Sequence, residues 1–354
     1  MMHLLRPSCF LRCYGRVRWR RTICEISYRY NPKDIGALKA ERAISSSLYV
    51  IGGLYGSLHS LDAILKMACL EKEPPQLIFN GDFNFFNCKE EDFIAINNIV
   101  KLFTATKGNI EDVISKPKPD SFECGCDYPS SVSTEYIKRS NKIAERLHGT
   151  AHSNQQSEII LQFLRELPMC RRIKMSSGHI IGILHGDAHS LSGWNFSYEN
   201  LLASSADAAS HWPSSPALSS SCSSPSSVMK WLNEAKCDIF ACTHTCLPVM
   251  VDYDNHSKAI VNNGSAGIPN FKEETFGVIT RISEDVKTVP QSSLYSTTLS
   301  DCIRIDAIAV CYDHKDFCSK FLVDWPEGSP GYVNYYERLV HGTTMCIQDS
   351  KLRL

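Results

Sequence analysis

The stretch Leu77-Ile78-Phe79-Asn80-Gly81-Asp82-Phe83-Asn84-Phe85 contains the clearest local signal in this chain of 354 residues. Its apolar start, residues 77–79, is short and is followed by turn-forming residues, which predicts a buried β-strand that ends in a glycine turn. Asp82 lies in that turn. A carboxylate that directly follows a buried strand is a candidate functional group, although turn formation alone also explains an aspartate here.

The same order of strand, turn and polar residue occurs at other points of the chain. Residues 48–51 form an apolar run that ends at Gly52-Gly53, and helical spacing of apolar residues follows from residue 58. Further strands are expected to end close to other polar side chains, namely Asn109, His185 and His244. Because the turns beyond the carboxyl ends of strands meet at one edge in α/β folds, we expect these three residues to converge with Asp82.

The four polar residues form a chemically coherent set. Each one alone is better explained as a turn former or as a hydrogen-bonded polar group than as a ligand. Together, a carboxylate, an amide oxygen and two imidazoles are typical ligands of a borderline divalent ion such as manganese, iron(II) or zinc. The sequence therefore predicts that the metal ligands and the catalytic residues are the same four side chains, Asp82, Asn109, His185 and His244.

The order of these motifs resembles that of the calcineurin-like metallophosphoesterase family over residues 46–285. The matching stretches are Gly53-Leu54-Tyr55-Gly56, residues 81–85, Gly108-Asn109-Ile110-Glu111, His185-Gly186, residues 243–248 and residues 262–269. The resemblance implies an α/β fold in which a two-sheet β-sandwich is flanked by helices as four layers. It also implies a helical cap from residues 93–167 and a C-terminal α/β extension, residues 286–354, that packs on the same domain. Periodicity alone equally allows an open, doubly wound sheet.

The departures from the family pattern fall on one side of the expected site. The family binds two metals, and the ligands of one of them correspond here to the complete set formed by Asp82 and its three predicted partners. The ligands of the other metal correspond to Gly53, Tyr55, Asp82 and Cys246, so only the shared carboxylate is retained. The resemblance thus implies a single divalent transition metal, with Cys246 as an additional candidate ligand. The family's leaving-group acid corresponds to Ile110, whose alkyl group cannot transfer a proton.

Two function classes follow from this pattern. The first is a hydrolase, a metal-dependent phosphoesterase that cleaves a phosphomonoester, phosphodiester or phosphoanhydride in a small phosphorylated substrate. The candidate substrate-binding residues are Tyr55, Asn84, Asn263 and Ser265. The second class is a catalytically impaired protein that keeps the fold as a scaffold for binding a ligand or partner. Retention of four ligands favours the hydrolase, and loss of the acid favours the scaffold. A thiol nucleophile at Cys242 or Cys246 is a further alternative.

Composition and charge exclude several other classes. The hydrophobic fraction of 43% is typical of a globular protein, and no run of 18 apolar residues predicts a membrane span. Residues 1–24 contain six arginines and no acidic residue. Removing these six from the 37 basic residues leaves 31 against 38 acidic residues, a net charge of about −7. Such a body does not bind nucleic acid through bulk charge.

Two segments are expected to lie outside the core. Residues 1–35 form a basic leader that resembles an organellar transit peptide, with the mitochondrion as the expected destination and the plastid or the cytoplasm as alternatives. Residues 204–227 contain twelve serines and three prolines, which predicts a disordered insertion within the phosphoesterase domain. The pair Cys124 and Cys126 lacks a second pair at zinc-ligand spacing, so structural thiols are favoured over a zinc or redox site.

Overall fold

The computed structural model describes residues 28–118, 122–153, 155–203 and 223–352. The strands are β1 (Glu41–Arg42), β2 (Ser47–Ile51), β3 (Gln76–Asn80), β4 (Thr104–Thr106), β5 (Cys170–Lys174), β6 (Ile180–Leu184), β7 (Ile239–Cys242), β8 (Pro248–Tyr253), β9 (Lys258–Asn263), β10 (Gly277–Ser283), β11 (Ser293–Leu299), β12 (Ile303–Val310) and β13 (Lys351–Leu352). The α-helices are α1 (Pro32–Ala37), α2 (Leu58–Leu70), α3 (Glu90–Val100), α4 (Asn109–Ile114), α5 (Thr134–Ala151), α6 (Gln155–Glu166), α7 (Tyr198–Leu202), α8 (Pro225–Glu234), α9 (His314–Asp324) and α10 (Pro330–His341). A short 3₁₀ helix, Ile347–Ser350, precedes β13.

The strands form two mixed sheets. The first has seven strands in the order β1-β5-β6-β7-β9-β8-β13, and the second has six in the order β11-β12-β10-β2-β3-β4. Within them, β2, β3 and β4 are mutually parallel, as are β6, β7 and β9. The carboxyl ends of these parallel strands therefore carry the turns that hold the predicted functional residues.

The two sheets pack face to face. Because successive side chains of a strand point to opposite faces, each strand contributes side chains both to the interface between the sheets and to the outer face of its own sheet. In β2, Leu48 and Val50 join a buried cluster with Ile181 and Ile239 of the other sheet. The alternate residues of the same strand pack instead against helices. Both faces of β2 are thus buried, which explains its continuous apolar sequence.

Helices cover the outer face of each sheet. Helix α2 begins at its N-cap Ser57 and buries Leu61 and Ile64 in the cluster that covers the six-stranded sheet. Helices α3, α5, α6, α9 and α10 contribute to the same cluster, whereas α1, α7 and α8 cover the seven-stranded sheet. The order of layers is helix, sheet, sheet, helix. The predicted four-layer α/β fold is therefore confirmed, and the open doubly wound alternative is wrong.

The C-terminal segment is integrated into this architecture. Strand β12 pairs antiparallel with β10, and β11 continues the same sheet. At the end of the described chain, β13 pairs in parallel with β8 of the other sheet. Helix α10 packs against α5 of the cap. Residues beyond 285 thus supply part of both sheets and part of the wall around the predicted site.

Two predicted boundaries need correction. In the leader, residues 1–27 lie outside the described residues, but residues 28–35 belong to the fold. The hydroxyl of Tyr30 donates to the carbonyl of Asp187 at 2.8 Å, and Ile35 is completely buried. These two side chains supply apolar surface to the cluster over the seven-stranded sheet, so the predicted leader extends too far.

The predicted C-terminal boundary of the serine-rich segment, residues 204–227, also needs correction. Residues 204–222 lie outside the described residues, whereas residues 223–227 are part of the fold. Ser223 is buried and donates to the carbonyl of Asn195 at 2.7 Å, and Ser224 accepts from the backbone N–H of Ser227 as the N-cap of α8. In the parts of the chain that the structure describes, we find no helix long and apolar enough to cross a membrane.

Candidate metal centre and its cavity

Four strand ends bring the predicted ligands together. Asp82, Asn109, His185 and His244 follow β3, β4, β6 and β7 respectively. Their close approach depends on Gly108, because a Cβ atom at this position would lie 2.3 Å from Asp82 Oδ1 and 2.9 Å from a ring carbon of His185. A side chain at residue 108 would therefore separate the turns that form the site.

The predicted ligand atoms converge at the floor of a cavity. One ligand atom from each of Asp82, His185 and His244 lies within 4.8 Å of the others, and all three residues are buried. His185 Nε2 is 3.4 Å from Asp82 Oδ2 and 3.3 Å from His244 Nδ1. It is also 3.1 Å from Oδ1 of Asn109. The structure thus brings together all four residues that the sequence proposes as ligands.

Neighbouring groups fix which atoms face the centre. His185 Nδ1–H donates to the carbonyl of Asn80 at 2.9 Å, so Nε2 is the nitrogen that faces Asp82 and His244. Asn109 Nδ2 donates to the carbonyl of Cys124 at 2.9 Å, which turns its Oδ1 toward His185. The centre is therefore lined by atoms that offer lone pairs. Such atoms approach to 3.1–3.4 Å only with a cation or a proton among them, which fits a divalent metal.

The charges at the site show the same preference for a cation. Burial lowers the pKa of His185, but the carboxylate of Asp82 outweighs this effect, so the pKa of His185 is raised. Burial raises the pKa of Asp82, but His185 outweighs burial and the pKa is lowered. Burial and the neighbouring His185 lower the pKa of His244 to about 3. His244 is therefore neutral, with a ring nitrogen lone pair available at the centre.

Glu111 is a buried residue at the site that the sequence motifs did not single out. It is fully buried, and its Oε2 accepts from the backbone N–H of Asp82 at 2.7 Å and of Gly108 at 3.0 Å. These two bonds hold the turns after β3 and β4 together. Burial and the charge of Asp82 raise the pKa of Glu111 to about 7. The sequence feature that could have indicated Glu111 is its place in the motif formed by residues 108–111.

Among the residues that the structure describes, the other half of the cavity floor contains no cluster of metal ligands. We call Asp82, Asn109, His185 and His244 the retained half, and Gly53, Tyr55 and Cys246 the replaced half. In the replaced half, the Tyr55 hydroxyl and the Cys246 thiol form a hydrogen bond of 2.6 Å.

The Cys246 thiol is not in position to act as the additional ligand. Its Sγ bonds instead to the Tyr55 hydroxyl at 2.6 Å. Among the described residues, the only group of three or more His, Cys, Asp or Glu side chains with metal-binding spacing is Asp82, His185 and His244. The structure therefore does not bring Cys246 into the ligand cluster as predicted.

Three of the four predicted substrate-binding residues bond within the surrounding turns and do not line the cavity. Asn84 is buried and donates to Glu111 Oε1 at 3.2 Å, and Asn263 donates to the carbonyl of Gly52 at 3.0 Å. The Ser265 hydroxyl donates to the carbonyl of Gly53 at 2.7 Å. None of the three lines the cavity, because their polar groups hold the surrounding turns together. The fourth predicted residue, Tyr55, does line it.

The cavity above the retained half has a volume of about 370 Å³. Asp82, Asn109 and His244 line its floor, together with Ile110 at the position of the family's acid. Much of the wall is aromatic, formed by the side chains of Tyr55, Phe85, Tyr128, Tyr136, Trp194 and Tyr335. Arg338 of α10 also lines the cavity. Arg338 was not predicted from the sequence, because it lies outside the motifs and outside residues 46–285.

Comparison with known proteins supports the fold. Neither a protein-family model nor a curated protein sequence matches the chain. Among solved structures, the chain is similar to the hypothetical protein PH1004 from Pyrococcus horikoshii OT3, with 15% identity over 84% of this chain and 99% of that chain and a TM-score of 0.53. It is also similar to a metallophosphoesterase from Sphaerobacter thermophilus, with 14% identity over 84% of this chain and 99% of that chain and a TM-score of 0.48.

At these identities the likeness concerns the fold alone. The resemblance inferred from the motifs is confirmed at the level of the fold. A possible metal site at Asp82, His185 and His244 accompanies that fold.

Proposed function

We propose that the protein is a phosphoesterase that uses a single divalent transition metal, manganese, iron or zinc. The observation that supports this proposal most directly is the convergence of Asp82, His185 and His244 to within 4.8 Å at the floor of the cavity. Asn109 would complete the ligand set through its Oδ1. When bound, the ion supplies Lewis-acid polarisation of a phosphoryl oxygen and promotes attack by water at neutral pH.

The surrounding residues position the ligands. Asn80 accepts from His185 Nδ1–H and so keeps the other ring nitrogen directed to the centre. The backbone N–H of Ile110 donates to Asp82 Oδ1 at 3.2 Å, which leaves Oδ2 toward His185. Glu111 fixes the two turns from behind. His185 and Asp82 thus each have a second contact that limits their rotation before the metal binds.

The cavity favours substrates with an aromatic group and a good leaving group. Ile110 lines the cavity where the family has its acid, and its alkyl side chain donates no proton to a departing alkoxide. The aromatic walls offer faces for stacking against a planar ring. We therefore propose small aryl or nucleoside phosphates, or phosphoanhydrides, as the substrate class in preference to alkyl phosphates.

A substrate panel with matched variants tests the proposal. The full chain, loaded separately with Mn²⁺, Fe²⁺ or Zn²⁺, is assayed with p-nitrophenyl phosphate, bis(p-nitrophenyl) phosphate, ATP and an alkyl phosphate. We expect hydrolysis of activated substrates that disappears in His185→Ala and His244→Ala. His189→Ala is the control, because His189 lies near His185 in sequence but packs edge-on against Trp231, with ring centroids 4.9 Å apart. Equal activity in all variants would refute the proposed metal centre.

A ligand-binding scaffold is the second candidate. The observation that favours it is the loss of both the acid, at Ile110, and the ligands of the replaced half, at Tyr55 and Cys246. On this hypothesis the metal-loaded protein binds phosphate esters without turnover. Binding of an aryl phosphonate, a non-hydrolysable analogue, together with no hydrolysis of any member of the panel would select the scaffold over the hydrolase.

We also propose that the arginine-rich N-terminal segment directs the protein to the mitochondrion. The support is compositional, since residues 1–24 contain six arginines and no acid. Because residues 28–35 are part of the fold, the test uses residues 1–27 fused to a fluorescent reporter. Co-localisation with a mitochondrial marker is expected. A version with the six arginines changed to glutamine should stay diffuse, and a diffuse wild-type fusion would contradict the proposal.

A further inference from the structure

Arg338 is a cation at the cavity wall that no carboxylate neutralises among the residues the structure describes. It lies on α10 and lines the same cavity as Asp82 and His244. Its Nε donates to the carbonyl of Pro269 at 2.8 Å, and its Nη2 donates to the carbonyl of Cys246 at 2.7 Å. Both strong partners are neutral, and no hydrogen bond joins Nη1 to another described residue. The guanidinium is thus held firmly, with one edge available.

The position of Arg338 relative to the replaced half is informative. Its bond to the Cys246 carbonyl places the guanidinium beside the Tyr55–Cys246 pair. The pair contains no carboxylate, and its hydroxyl and thiol bond to each other at 2.6 Å. The replaced half therefore offers no anion that would balance the charge of Arg338. A partly buried guanidinium without a counterion is a favourable site for an anion from solution.

We propose that Arg338 binds phosphoryl oxygens, so that phosphate lies between the metal centre of the retained half and the guanidinium. This inference rests on the proposed function and deepens it. At the replaced half, the described residues provide no ligand set to bind a second metal ion. Arg338 would supply positive charge there in place of that ion. A guanidinium suits this role because its fixed N–H donors match the spacing of phosphate oxygens.

The experiment measures binding of inorganic phosphate by calorimetry to the full chain, both metal-free and loaded with Mn²⁺. We expect Arg338→Gln to weaken phosphate binding about 10- to 100-fold in both states, as is typical when a charge-assisted hydrogen bond is lost. Arg338→Lys should give an intermediate loss, since it keeps the charge but not the fork. The Mn²⁺ content should be unchanged in every variant, because Arg338 is not a ligand.

Arg139→Gln is the matched control. Arg139 belongs to α5 and bonds to Asn334 of α10 at 2.5 Å, so it contacts the helix that carries Arg338, but it does not line the cavity. Its loss should leave phosphate affinity unchanged. If thermal denaturation shows that Arg338→Gln is unfolded, Arg338→Lys is the deciding variant. Wild-type phosphate affinity in Arg338→Lys would then overturn the inference.

The outcomes separate this inference from the proposed function. Hydrolysis by the wild type together with undiminished phosphate affinity in both Arg338 variants overturns the inference and leaves the phosphoesterase proposal intact. No hydrolysis, but phosphate binding that depends on Arg338 in the metal-free protein, supports the inference while the phosphoesterase proposal fails. Absence of phosphate binding by the wild type in both states overturns the role of Arg338.

Discussion

The retained and replaced halves of the cavity floor have the same unusual backbone but different side chains. Asp82 and His244 in the retained half have φ values of 52° and 54°, and Tyr55 and Cys246 in the replaced half have values of 53° and 62°. A left-handed conformation costs a non-glycine residue on the order of 1–3 kcal/mol. Both sides thus contain strained turns, although among the described residues only one side presents a set of metal ligands.

The two halves differ in how they satisfy their buried polar groups. In the retained half, lone-pair atoms face one another and require a cation. In the replaced half, the hydroxyl of Tyr55 and the thiol of Cys246 satisfy each other. An unpaired ionised group at this depth would be strongly destabilising, whereas a neutral hydrogen-bonded pair is not. The strained backbone is therefore a property of the scaffold, and the chemistry depends on the side chains.

The largest expected difference between the halves is in metal affinity. Replacing His185 or His244 with Ala removes one of few donors and should weaken metal binding at least about 100-fold, more than the loss of a second contact to a ligand. The measurement is a competition titration with a chromophoric chelator. His189→Ala should match the wild type. Wild-type metal affinity in His244→Ala would show that the two halves do not differ as we describe.

The missing proton donor gives the next largest effect. Ile110→His places an imidazole in the cavity and should raise hydrolysis of alkyl phosphates by up to about 100-fold, with a smaller gain for p-nitrophenyl phosphate, because proton donation matters most for basic leaving groups. Steady-state rates for both substrates are compared in the same preparation, with thermal denaturation as the control for folding. An equal gain for the two substrates would contradict a missing acid as the cause.

The smallest effect is expected in the replaced half. Tyr55→Phe removes one hydrogen bond to Cys246 and should reduce the free energy of unfolding by about 1 kcal/mol. The metal content should not change, since neither partner belongs to the ligand cluster. Urea denaturation and elemental analysis provide the two measurements. A loss of metal in Tyr55→Phe would mean that the replaced half still contributes to metal binding.

The ligand positions could be predicted because their signals are local. Asp82 and His185 each follow a short apolar strand, and the topology of parallel strands then brings them to one edge. The roles of Asn263 and Ser265 could not be predicted in the same way. Their motif resembles a phosphate-binding turn, but in the structure their side chains bond to the carbonyls of Gly52 and Gly53, which are about two hundred residues away in sequence.

Other features could not be predicted, because they depend on contacts between segments that share no sequence motif. Strand β5 was not predicted, because its two arginines obscure the apolar pattern. In the fold, Arg172 is buried and donates to the carbonyls of Leu38 and Lys236. Arg338 reaches the cavity from α10, far from the motifs in sequence. A single sequence contains no local signal for either arrangement, since each arises only when distant segments pack together.

The metal-to-protein ratio tests the difference between the two halves most directly. The full chain is reconstituted with excess Mn²⁺ or Zn²⁺, desalted and measured by elemental analysis together with its protein concentration. We predict close to one metal per chain, because one ligand set is complete and the other retains only the shared Asp82. A ratio near two would show that the replaced half still binds a metal, and a ratio near zero would show that the retained half does not.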